Sequence, residues 1–147
     1  MVDDVVLNKA AIIERCLARI AAEYNGHEQE LSSNLTRQDA IILNLQRACE
    51  AVIDLAMHVI RVRQLGLPQE GREAFTLLEA AGILDSVLGA RMRAMVGLRN
   101  IALHNYQKLS LDVVRSILDS HLDHFRSFTA LAIQVSGSPA SGTVPGR

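Results

Sequence analysis

Apolar residues recur along most of this chain at helical spacing. In the first segment Val5, Ile12, Cys16 and Ile20 repeat at seven and four, with Val6, Ile13 and Leu17 beside them. That pattern predicts a helix over about residues 4–24. The polar stretch "NGHEQELSSN" then reads as a loop. A second helix is predicted over about residues 36–65, with Thr36 as its N-cap, and at about 1.5 Å per residue it would be about 45 Å long. "GLPQEG" stops it. A short helix follows over about residues 72–80 and ends at Gly82, and a fourth covers about residues 86–105. Gly89 and Gly97 either weaken that fourth helix or let a neighbour approach closely. Ser110 caps a fifth helix over about residues 111–135, with Val114, Ile117, Leu118, Phe125 and Phe128 on its inner side. The remaining "SGSPASGTVPGR" has no apolar period, so residues 136–147 are expected to be a disordered tail.

Four long helices and one short one predict an all-α antiparallel bundle over residues 1–135. The composition agrees. Aliphatic residues dominate, aromatics make up 3% of the chain, and the prolines are Pro68, Pro139 and Pro145. Strands would favour β-branched and aromatic side chains instead. Cys16 and Cys49 fall on apolar stripes and read as buried thiols. "MVDDVV" has acids where a signal peptide needs bases, and no run approaches the roughly 18 apolar residues of a membrane span. A cytoplasmic protein that makes no use of a membrane is expected.

The net charge of −1 excludes overall attraction to nucleic acid, but the charges are unevenly spread. Residues 1–85 carry 13 acids against 8 bases, whereas residues 86–111 carry no acid and include Arg91, Arg93, Arg99 and Lys108. A positive strip on a mildly acidic body can hold a polyanion at one place.

Within that strip, "RNIALHNY" sets Arg99, His104 and Tyr106 inside an apolar helical run. At about 100° per residue, Arg99 and Tyr106 share a face, separated by about 20° and about 10 Å of rise. Arg99 and His104 differ by about 140° and do not. A common site then needs either unwinding of the helix near His104 or a second copy across a two-fold axis. The chemistry of the set suits phosphodiester cleavage. Arginine offers a permanent charge and a planar donor fork, and histidine titrates near neutral pH. One group would take the proton from the 2′-OH of RNA while the arginine stabilises charge on the phosphate.

A second polar row, Asn44, Arg47, Asp54 and His58, with Gln46 and Glu50 close by, interrupts the apolar run of the second helix. It reads either as a hydrogen-bond and salt-bridge network or as a second wall of a cleft, with Glu50 or Asp54 orienting Arg99 or His104. Asn100, beside Arg99, belongs to the same supporting group. His121 and His124 lack the paired Glu-x-x-His pattern of a di-iron bundle and read as a solvated face. No metal site is expected. No GxxxxGK[ST] or GxGxxG loop is present, so a nucleotide cofactor held by those devices is not expected either.

Arg99-x4-His104-x-Tyr106 resembles the Rx4HxY signature of HEPN-domain ribonucleases, specifically the HepT toxins of the HepT–MntA toxin–antitoxin family. The resemblance extends over "RQDAIILNLQRACEAVIDLAMHVI", "GLP", "FTLLEAAGIL" and "MVGLRNIALHNYQKL". It implies a HEPN bundle, a homodimer with the active cleft at its interface, and metal-independent RNA cleavage leaving a 2′,3′-cyclic phosphate. Arg99 and His104 would be the catalytic pair, RNA rather than DNA the substrate, and no cofactor would be required. Tyr106 would be adenylylated from ATP by an MntA-type nucleotidyltransferase antitoxin, which closes the pocket. The rival expectation is a non-catalytic helical subunit that binds substrate or nucleotide within a nucleotidyltransferase complex.

Overall fold

The computed structural model describes residues 3–137, and among them every regular element is helical. Six α-helices follow in order: α1 (Asp4–Tyr24), α2 (Leu35–Arg63), α3 (Gly71–Ala80), α4 (Ser86–His104), α5 (Leu111–Ser120) and α6 (Asp123–Gly137). Short 3-10 turns lie at Glu28–Glu30 and Tyr106–Lys108. The all-α bundle is as expected, with some changes of boundary. The N-cap of α2 is Asn34, whose side chain accepts from the Arg37 amide, rather than Thr36. The expected fifth helix is two helices, because Asp119, Ser120 and His121 put weak helix formers in succession and the chain turns at His121. Its inward residues nevertheless keep their role, since Val114, Ile117, Leu118, Phe125 and Phe128 are all buried.

α2 is the central strut and packs against α1, α3, α4 and α6. Cross-links give the directions. Lys9 meets Asp54 at 3.1 Å and Arg37 donates to the Glu23 carbonyl at 2.8 Å, so α1 runs antiparallel to α2. Arg126 meets Glu14 at 3.2 Å, and Arg63 donates to the Val135 carbonyl at 2.8 Å, which sets α6 antiparallel to α1 and parallel to α2. Two further contacts, described below, set α4 antiparallel to α2.

The core is aliphatic, closed by Phe75, Phe125 and Phe128. The Phe75 and Phe128 rings meet edge to face with centroids 5.4 Å apart. On α1 the inward row is Val6, Ile13, Cys16, Leu17, Ile20 and Tyr24; Val5 lies outside it, exposed. Both cysteines are buried free thiols, and burial pushes Cys49 up to about 12. Tyr24 donates to Asp119 Oδ1 at 2.6 Å and accepts from Arg115 at 3.3 Å, which anchors α5 to the end of α1. α6 extends through Ser136 and Gly137, two residues into the expected tail; residues 138–147 lie outside the described residues. No helix among the described residues is long and apolar enough to cross a membrane.

Candidate active site at the end of α4

The basic strip lies on α4 and the turn that follows it. Asp85 caps the start of α4 by accepting from the Leu88 amide at 2.8 Å, and the helix then runs without an acid to His104. There it ends. Asn105 takes φ −154° and ψ 55°, its amide donating to the Ile101 carbonyl, and Tyr106 begins a 3-10 turn. The helix thus unwinds after His104, not before it, which leaves Arg99 and His104 on one continuous helix about 140° apart.

Arg99 and Tyr106 both reach α2, although the helix ends between them. The Arg99 guanidinium lies 3.4 Å from the Glu50 carboxylate. The Tyr106 hydroxyl donates to Asp39 Oδ1 at 2.7 Å. Moving forward along α4 thus means moving backward along α2. Arg99 is largely enclosed, with 18% of its side chain exposed, and its Nε is buried without a hydrogen-bond partner among the described residues. The N–H groups of the terminal guanidinium nitrogens beyond the Glu50 contact, rather than the buried Nε, are the donors left for a further anion. The phenol of Tyr106 is partly exposed and its pKa is pushed up to about 12. Burial is the first cause, followed by the hydrogen bond to Asp39 and the negative charge there.

His104 sits on the terminal turn, exposed, and makes no side-chain hydrogen bond or ion pair among the described residues. An imidazole in that position is open to contact by a bound ligand. Asn100 is half-buried and equally without a side-chain hydrogen bond among the described residues.

The second-helix row divides. Glu50 touches Arg99. Asp54 pairs with Lys9, and His58 Nε2 pairs with Asp3, so both side chains are engaged by α1 instead of by Arg99 or His104. The reason is angular: each step of four along α2 advances the direction by about 40°, enough to carry the row from the α4 side to the α1 side. The Asp3 carboxyl is held below the usual carboxylate range by its hydrogen bond to His58 and by the Val5 amide that it caps. Asn44 is buried and donates back to the Ala40 carbonyl at 2.8 Å. Arg47 is exposed and lines a groove between α1 and α2 with Arg15 and Arg19. No sequence pattern singles out Asp39, an exposed acid in the second turn of α2, and it acquires meaning only through Tyr106. His121 and His124, expected on a solvated face, are half-buried and stacked at the break between α5 and α6, with ring nitrogens 3.2 Å apart.

A model of the HepT-like ribonucleases matches residues 13–131. The chain belongs to the HepT-like family. It is 46% identical over 126 residues to the mRNA nuclease HepT of Shewanella oneidensis, an alignment covering 86% of this chain and 94% of that protein. Among solved structures it is similar to the tri-AMPylated HEPN toxin of Shewanella oneidensis in complex with its MNT antitoxin. That pair is 45% identical, has a TM-score of 0.83, and covers 88% of this chain and 96% of the other. A toxin–antitoxin complex with AMP-PNP gives 43% identity and a TM-score of 0.84, over 88% of this chain and 97% of that one. The matched segment contains α2 and α4, the helices that carry Glu50, Arg99 and His104.

Proposed function

We propose that this HepT-like chain is a cytoplasmic toxin that cleaves RNA with Arg99 and His104 and is neutralised when a nucleotidyltransferase antitoxin adenylylates Tyr106. The observation that carries the reading is the end of α4: an enclosed guanidinium with an unpartnered Nε, an unengaged imidazole one turn later, and an accessible phenol two residues further on. Relatives named as an mRNA nuclease and as an AMPylated toxin with its antitoxin support both halves of it.

The chemistry follows from the groups. His104 takes the proton of the 2′-OH, the 2′-oxygen attacks the adjacent phosphorus, and the 5′-oxygen leaves, which yields a 2′,3′-cyclic phosphate and a 5′-OH end. Arg99 faces the charge that builds on the non-bridging oxygens. The leaving oxygen also needs a proton, and one histidine cannot serve as base and acid at the same moment. A homodimer supplies the second imidazole and a second guanidinium to one cleft. Exposed Val87, Ile101, Leu103 and Val113 on α4 and α5 offer apolar surface for such pairing. Attaching AMP to Tyr106 places a phosphodiester anion and a bulky nucleoside next to Arg99, which repels RNA and occupies its place.

The test is cleavage of RNA by the purified chain in EDTA. Wild type is expected to cut, and Arg99→Ala and His104→Ala to lose about a hundredfold or more of the rate. His104→Ala should also keep the wild-type melting temperature, because the side chain is exposed. Equal cleavage by all three proteins would overturn the assignment. Absence of cleavage by the wild type would favour the binding-subunit reading.

A further inference from the structure

The Tyr106 hydroxyl does not point free into solvent. It donates to a carboxylate on another helix, 67 residues earlier in the chain. Glu50 is the next acid along α2, 11 residues on, or about 16 Å of helix, and it faces Arg99. Asp39 is therefore the carboxylate that addresses the phenol. With its pKa near 12, the phenol is ionised in only about one molecule in 10⁵ at neutral pH. A nucleophile in that state must shed its proton as it reacts.

We propose that Asp39 accepts the Tyr106 proton during adenylylation, so that the toxin itself supplies the base for its own neutralisation. This rests on the reading of Tyr106 as the AMP acceptor. Tyr106 Oη attacks the α-phosphorus of ATP. The Oη–Pα bond forms as the bond from Pα to the oxygen bridging to Pβ breaks, and pyrophosphate leaves with that electron pair. The Oη proton passes to Asp39 Oδ1, along a hydrogen bond that already exists at 2.7 Å. Asp39 is exposed, so it returns the proton to water afterwards. Once esterified, Oη has no proton to donate and its phosphate repels the restored carboxylate, so the original contact cannot reform.

The experiment measures transfer of label from α-³²P-ATP and magnesium to this chain by an MNT-type nucleotidyltransferase antitoxin, with toxin concentration varied. Asp39→Asn keeps size and a hydrogen-bond-accepting oxygen but removes basicity. Its kcat should fall about tenfold or more, with the KM for toxin within about twofold of wild type. Asp39→Glu should recover part of the loss, and melting curves should show both variants folded. A wild-type kcat in Asp39→Asn overturns the inference, and so does a loss carried by KM alone, which would mark Asp39 as a docking contact. Peptide mapping separates the two levels. A wild-type adduct on a residue other than Tyr106 overturns the acceptor assignment and this inference with it, whereas Tyr106 labelled at the wild-type kcat in Asp39→Asn overturns this inference alone.

Discussion

Arg99 on α4 and Glu50 on α2 meet at 3.4 Å, and the carboxylate fixes the direction in which an otherwise enclosed guanidinium faces. Glu50 is about half exposed, so the pair adds little to stability and its value is positional. Glu50→Ala should lower the kcat of RNA cleavage about tenfold, equivalent to about 1.4 kcal/mol of barrier, with a smaller change in KM. Arg99→Lys keeps the charge without the planar fork and should lose most of the activity. Single-turnover cleavage of a defined RNA checks both. A Glu50→Ala enzyme with unaltered kcat would remove the positional role.

Alkaline stability should depend on Tyr24. Burial raises its phenol pKa, and the hydrogen bond and charge of Asp119 raise it further, against the opposing influence of Arg115. Unfolded, the phenol ionises near pH 10. Above that pH the unfolded chain has lost a proton that the folded chain still holds, so the stabilisation is complete below about pH 10 and is lost as pH rises through the folded value. Tyr24→Phe should be less stable than wild type by about 1 kcal/mol at pH 8, the net worth of a hydrogen bond. Urea melts at pH 8 and pH 11 should show that gap narrowing. A gap that widens at high pH would contradict the assignment.

Phe75 carries the short helix α3 into the core. It is fully buried, and its ring meets Phe128 of α6 edge to face. Phe75→Ala should cost about 3–5 kcal/mol through lost transfer energy and an unfilled cavity. That is a large part of the roughly 5–15 kcal/mol available to a domain. The denaturation midpoint in urea measures it, and a shift worth less than about 1 kcal/mol would mean that the core collapses around the vacancy.

What the sequence determines here is local. Apolar spacing sets which residues of each helix turn inward, and "GLPQEG" and Ser110 mark where helices stop and start. A separation of five puts His104 off the face that carries Arg99, a consequence of helical pitch alone. Even this local reading misses by a residue where several apolar side chains are adjacent: Val5 and Val6 fit the same pattern, and only packing against α2 and α6 chooses Val6. The break at His121 is similar, because the two helices bury the same residues that a single one was expected to.

Tertiary structure decides what each face meets. That Arg99 finds Glu50, that Tyr106 finds Asp39, and that Asp54 and His58 turn instead to Lys9 and Asp3 depends on how α1 and α4 are set along α2. Axial register between helices is a property of the packed bundle. It is fixed by side chains distant in sequence, and no period within one helix contains it.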